Sequence, residues 1–283
     1  MLTNCYLFSF PSIRFVPKKQ TVRIITNMNH RLGKTTNTSI DDTVLSNAML
    51  YNCFYVLKYI YGNSSRQQGF NVLNKDVIYE RFKAFKSCGD HGLNYVVTLD
   101  IQKCFDSIDC HKLFEMLEQL LSDYASSDFI IHKYTISQHH QVKNQRHHHN
   151  IRYVTQNNLL HFHDVSKQLN QHYRNCVLID GVHYPSLNVS SLLRLLKQHL
   201  FHHKISYNKE VFRSTLGLPQ GSVLSSLLCN IYYGCLESKA YLSDSASMPE
   251  STMVMRQVDD YLVISKDKES ISKYDILYLF LFS

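Results

Sequence analysis

A chain of 283 residues with 44 % apolar side chains can bury a real core, in one large domain or two lobes, which excludes wholesale disorder. The net charge of +7 is unevenly placed: residues 1–40 hold no Asp or Glu, while Arg14, Lys18, Lys19, Arg23, Arg31 and Lys34 supply +6 of it. That concentration favours a polyanion such as nucleic acid or nucleotide phosphate, although a solvated basic face has the same composition. Eight cysteines without C-x-x-C spacing, and an N-terminus lacking a positive n-region, read as reduced thiols of an intracellular protein rather than a secreted disulfide scaffold. The closing run Ile276–Phe282 falls far short of the roughly 20 apolar residues of a membrane span.

Ile13 to Met28 reads as a hairpin, with Val22, Ile24 and Ile25 as strand formers and Pro17-Lys18-Lys19-Gln20 as the turn. Asp41 to Tyr61 turns helical: Asp41 and Asp42 can cap, and Leu45, Met49, Cys53 and Leu57 share a face. Tyr95 onward reads as a buried strand that breaks at Asp100, followed by an amphipathic helix with Leu113, Leu117, Leu120 and Leu121 on one side. Residues 123–175 are polar and lack clean periodicity, which predicts a surface insertion with local helix. Its histidines, His139, His140 and His147 to His149, have no cysteine at ligand spacing and read as a polar loop rather than a zinc site. Leu216 to Tyr241 is a Gly/Pro turn feeding a helix in which Leu227, Leu228, Ile231, Tyr232 and Cys235 recur at helical spacing. A second hairpin, Met253 to Ser265, closes the pattern.

Chemistry enters with Asp259 and Asp260, adjacent carboxylates flanked by β-forming apolar runs. Like charges repel, and burying them unpaired is costly. The dipeptide alone means little, since Asp41-Asp42 is explained by helix capping; position decides. Asp100 ends a strand and Asp259-Asp260 form a hairpin tip, both rigid places from which carboxylates can converge. Phosphoryl transfer by two Mg²⁺ ions about 3.5–4 Å apart needs such convergence, and Mg²⁺ takes a few hard carboxylate ligands while leaving places for water and phosphate. Asp100 and Asp259 would bridge the ions and Asp260 complete the site.

"LDIQKCFD" (Leu99–Asp106), "LPQGSVLSSLLCNIYYG" (Leu218–Gly234) and "RQVDDYLVIS" (Arg256–Ser265) resemble motifs A, B′ and C of reverse transcriptases. "RFVPKKQTVRIITNM" (Arg14–Met28) resembles their fingers motifs 1 and 2. Within that superfamily the wording is most similar to telomerase reverse transcriptases, as is the gap of 110 residues from Asp106 to Leu216. The resemblance runs from Ile13 to Ser265 and departs at Gln257, where an apolar residue is more usual. It implies that Asp100, Asp259 and Asp260 are the metal-binding aspartates, and that Phe105 is the steric gate selecting deoxynucleotides. It further implies that Lys18 and Arg23 hold the incoming triphosphate, and that Gln220 and Gly221 form the turn lying against nucleotide and template.

The expected fold is α+β, a right-hand polymerase palm (antiparallel sheet backed by helices) with a helical fingers lobe. Residues 1–94 are expected as fingers, 95–122 as palm motif A, 123–210 as a fingers-type insertion, and 211–283 as palm motifs B′ and C. Motif 1 begins within fifteen residues of Met1, and the chain stops 18 residues after Ser265, so it is expected to be a fragment of the catalytic core. The expected activity is RNA-templated addition of telomeric repeats to chromosome 3′ ends. Two Mg²⁺ ions serve it, with a telomerase RNA template, a single-stranded telomeric DNA primer and deoxynucleoside triphosphates as partners, in the nucleus at the telomere, with no membrane. A retroelement reverse transcriptase and a non-catalytic polymerase-like scaffold are the rivals. Retention of all three aspartates argues against the scaffold.

Overall fold

The computed structural model describes residues 11–18, 21–29, 47–64, 67–72, 75–87, 94–140, 145–173, 175–208, 210–243, 251–269 and 271. In chain order the elements are β1 (Ser12–Lys18), β2 (Thr21–Asn27), α1 (Asn47–Asn63), α2 (Lys75–Ser87), β3 (Tyr95–Asp100), α3 (Cys110–Ser122), β4 (Asp128–His140) and β5 (Gln145–Gln156). There follow α4 (Phe162–His172), β6 (Cys176–Asp180), β7 (Ser186–Asn188), α5 (Val189–Phe201), β8 (Lys204–Tyr207), β9 (Glu210–Arg213), α6 (Ser225–Ser243), β10 (Thr252–Gln257) and β11 (Asp260–Ser265). The fold is α+β, and none of the described helices is long and apolar enough to cross a membrane.

Two compact units divide the chain, neither continuous in sequence. The first gathers residues 1–60, 117–213 and 221–224. Its four-stranded sheet runs β2-β1-β8-β9, with the β1–β2 hairpin in register from Ser12↔Asn27 to Lys18↔Thr21. Alternation puts Phe15, Val22 and Ile24 on one face and Arg14, Lys18 and Arg23 on the other. The turn residues Lys19 and Gln20, and the expected caps Asp41 and Asp42 with Leu45, lie outside the described residues. Helix α1 buries Leu50, Cys53, Val56, Leu57 and Ile60 at helical spacing.

The insertion differs from its sequence expectation. Residues 128–140 and 145–156 are strands of one long antiparallel hairpin, β4–β5, with β6 and β7 also paired to β4. The histidine stretch therefore lies largely in paired strands, with His148 and His149 exposed on β5, rather than in a loop. The signal is hidden because burial along β4 changes phase. Phe129 and Ile131 are buried at odd positions, then His132, Tyr134 and Ile136 at even ones, so no single period-2 pattern runs through. Tyr134 and Ile136 pack with Val165 and Leu169 of α4, which covers that end of the sheet.

The second unit gathers residues 61–116, 214–220 and 225–283. Its antiparallel sheet has the order β10-β11-β3, so the last strand among the described residues is the central one. Val72, Met253, Met255 and Ile264 form a core on which Ile78 and Phe85 of α2 pack. Helix α6 is apolar almost all round: Leu227, Leu228, Cys229, Ile231, Tyr232, Tyr233 and Cys235 are all buried, as a core helix should be.

Candidate active site

The β10–β11 hairpin turns on two residues, Val258 and Asp259, because Gln257 already pairs with Asp260. Val258 has φ 61°, a left-handed conformation that glycine usually supplies in such tight turns. For a β-branched residue it costs on the order of 1–3 kcal/mol and persists only where the surroundings enforce it. Asp260 pairs in turn with Asp100, the last residue of β3, so the two carboxylates stand directly opposite on one face. The backbone closes the third side: Ile101 N–H donates to the Asp259 carbonyl at 3.0 Å. Carboxylate oxygens of Asp100, Asp259 and Asp260 all lie within 4.8 Å of one another. Asp100 and Asp260 are exposed and Asp259 is half-buried, so water reaches the cluster.

At that separation two carboxylates in water repel by about 1 kcal/mol. A fold tolerates such a sum, yet a divalent cation at the same point reverses its sign. Three converging hard oxygen donors with solvent access fit Mg²⁺, which keeps part of its coordination for water and phosphate. Among the described residues this is the group of acidic, histidine or cysteine side chains arranged to hold a metal.

Phe105 follows in the turn after β3, half-buried. Its carbonyl accepts from Leu218 N–H at 2.9 Å, and Tyr233 O–H donates to the neighbouring Cys104 carbonyl at 2.9 Å. Gly217, at φ 62°, is obligatory there, since a Cβ would sit 2.3 Å from the Phe105 carbonyl oxygen. The Cys104 and Cys229 sulfurs lie 3.2 Å apart, and the Cys104 contact followed by burial pushes the Cys229 thiol far up, leaving it protonated. The turn bearing Phe105 is thus fastened both to α6 and to the loop that leads into it. Gln220 is half-buried at the end of that loop, where Ser225 O–H donates to the Pro219 carbonyl at 2.7 Å.

The remaining expected residues belong to the first unit. Lys18 and Arg23 are exposed on the basic face of the β1–β2 hairpin. Gly221 has φ 125°, and a Cβ there would meet the Thr26 carbonyl oxygen of β2 at 2.0 Å. Asn47, at the start of α1, is buried and clamps the same turn: its Nδ2 donates to the Gly221 carbonyl at 3.0 Å, and its Oδ1 accepts from Val223 N–H at 2.8 Å. His199 of α5 reaches it too, with Nε2 3.2 Å from the Ser222 hydroxyl.

The chain as a whole is similar to known proteins. No protein-family model matches the chain. Telomerase reverse transcriptase of Euplotes aediculatus is 27 % identical over 304 residues, covering 93 % of this chain and 28 % of that protein. That of Oxytricha trifallax is 24 % identical, covering 93 % and 25 %. The mouse protein is 25 % identical over 265 residues, covering 89 % and 23 %. These three relatives are all telomerase reverse transcriptases. The chain spans about a quarter of the length of these curated relatives. Among solved structures, apo telomerase from Candida tropicalis shares the fold with a TM-score of 0.59 at 16 % identity, over 95 % of this chain and 41 % of that one. Telomerase from Candida albicans, in complex with a TWJ fragment of telomeric RNA, gives 0.58 at 16 %, over 95 % and 40 %.

Sequence reasoning passed over two groups, Asn47 in the first unit and the Arg256–Glu237 pair in the second. Asn47 carried no signal, being an ordinary polar residue at a helix start. Arg256 and Glu237 did carry one. Arg256 is the lone charge of β10 and Glu237 one of two charges, with Lys239, in the apolar helix α6, and opposite charges in two such places point to a buried pair.

Proposed function

We propose that this chain is the catalytic core of an RNA-templated DNA polymerase of the telomerase type, extending chromosome 3′ ends with telomeric repeats. The observation that carries the reading is the convergence of Asp100, Asp259 and Asp260, from a strand end and a hairpin turn 160 residues apart in sequence. The relatives' names support the telomeric reading, and the Candida albicans telomerase solved with telomeric RNA supports an RNA partner.

Asp100, Asp259 and Asp260 would hold two Mg²⁺ ions, which when bound stabilise the attacking and leaving oxygens of nucleotidyl transfer. The residues divide the remaining work. Lys18 and Arg23, exposed on one strand face, attract and orient the triphosphate of an incoming deoxynucleotide; arginine can grip phosphate oxygens in pairs, while lysine acts as a point charge. Phe105, fixed through its backbone, presents a flat ring under the sugar and leaves no room for a 2′-hydroxyl. Gln220 and the side-chain-free Gly221 let nucleotide and template approach the backbone closely. A DNA primer end supplies the 3′-hydroxyl, and the working place is the nucleus, at telomeres.

The test is extension of a DNA primer annealed to an RNA template in Mg²⁺, comparing the wild-type chain with Asp259→Ala and with Lys18→Ala/Arg23→Ala. Extension should vanish in the first variant, whereas the second should raise KM for nucleotide with little change in melting temperature, because both cations are exposed. Equal extension by wild type and Asp259→Ala removes the metal reading.

A further inference from the structure

Under the aspartate turn lies a buried charge network that nucleotide transfer does not touch. Arg256 is 0 % exposed, three residues before Asp259 on β10. Its Nε donates to Glu237 Oε1 of α6, its Nη1 donates to Asn230 Oδ1 at 2.9 Å and to the Val258 carbonyl at 3.0 Å, and its Nη2 donates to the Asn230 carbonyl at 3.4 Å. Glu237, 1 % exposed, also accepts from the Tyr261 hydroxyl and from Phe70 N–H at 2.8 Å. The network therefore grips both sides of the turn: Val258 through its carbonyl, and Tyr261, next to Asp260, through its hydroxyl.

We propose that Arg256 is a positioning residue for the metal site, holding the left-handed Val258 turn so that Asp259 and Asp260 face Asp100, with Glu237 as its anchor. This inference rests on the metal-dependent reading above. Three observations favour positioning over simple stabilisation. A buried ion pair is by itself weak evidence of stability, because desolvation offsets most of its attraction. The one bond from Arg256 to the turn goes to the residue with the unfavourable φ, where an enforced conformation needs a partner. Lysine could satisfy Glu237 but could not reach Glu237, Asn230 and Val258 from one planar fork, so the geometry calls for arginine.

The experiment measures Mn²⁺ binding to the full chain by electron paramagnetic resonance, alongside thermal unfolding, for wild type, Asp259→Ala, Arg256→Lys and the double variant Arg256→Met/Glu237→Met. The double variant removes both charges together and so avoids leaving one buried alone. The expected result is a loss of Mn²⁺ affinity of at least tenfold in both Arg256 variants, including any whose melting temperature equals that of wild type. Wild-type affinity in either folded Arg256 variant overturns the positioning role. If wild type binds no more Mn²⁺ than Asp259→Ala, the metal reading itself has failed and the inference goes with it, an outcome distinct from the first.

Discussion

Asp260 faces Asp100 across the β11–β3 ladder, so two like charges occupy one of the closest side-chain pairings a sheet offers. In chelator, Asp100→Asn should therefore raise stability, by up to about 1 kcal/mol for each repulsion removed. In millimolar Mg²⁺ the order should invert, since only the wild type gains binding energy from the ion. Thermal melts of both proteins with EDTA and with Mg²⁺ check this. A melting temperature that ignores Mg²⁺ in the wild type speaks against cation binding.

Gly221→Ala should destabilise by roughly 2–5 kcal/mol, combining an unfavourable φ with a clash against backbone that cannot yield. The new Cβ would stand 2.0 Å from the Thr26 carbonyl oxygen. Gly62, in the last turn of α1, meets nothing within 4 Å and has no positive φ, so Gly62→Ala should stabilise by about 0.5–1 kcal/mol. Urea unfolding of the two variants side by side separates a glycine that is required from one that is merely present.

Acid should loosen the Gly221–Ser222 turn through His199. Burial, then the neighbouring His203, pushes the His199 imidazole down to about 3 from an ordinary 6.5. The folded state therefore holds this ring neutral while the unfolded chain protonates it below pH 6.5. Its contribution is complete above pH 6.5 and is lost as pH falls toward 3, with a slope of at most about 1.4 kcal/mol per pH unit. His199→Gln, which keeps a polar group near the Ser222 hydroxyl without the titration, should flatten stability across that window. Urea midpoints between pH 7 and pH 4 measure the difference; parallel curves for the two proteins contradict the assignment.

Phe105→Ala should admit ribonucleotides while leaving deoxynucleotide incorporation nearly intact. A steric pocket rejects one added hydroxyl by about 100-fold, so the loss of discrimination should approach that size. The carbonyl bond to Leu218 does not depend on the side chain, so the turn should keep its place. Incorporation of a ribonucleotide against its deoxy counterpart, measured as the ratio of kcat/KM values, decides the matter.

The palm was legible because its signals are local. Tyr95–Asp100 reads as a strand, although its residues are exposed or half-buried rather than buried, the segment after the Leu216 turn reads as a helix, and Met253–Ser265 as a hairpin; all three elements form where the pattern put them. A strand end and a hairpin tip allowed the aspartates to converge, and the resemblance grouped them as a set. Less legible was anything set by tertiary packing. β4 is buried on alternate phases because α4 covers one end of it and Tyr59 and Tyr124 reach Phe129 at the other, so propensity saw only a polar insertion. Asn47 and the Arg256–Glu237 pair matter through partners 174 and 19 residues away, distances at which residue spacing says nothing.

The strand order β10-β11-β3 carries a consequence for biogenesis. Asp100 emerges from the ribosome early, yet its strand gains its pairing partner only when residues 260–265 have followed. Until then β3 presents open backbone and cannot nucleate its own sheet, and so distant a pairing closes slowly. Nascent polypeptides halted short of β11 lack Asp260 and leave the β3 backbone open, the kind of unpaired strand that invites aggregation.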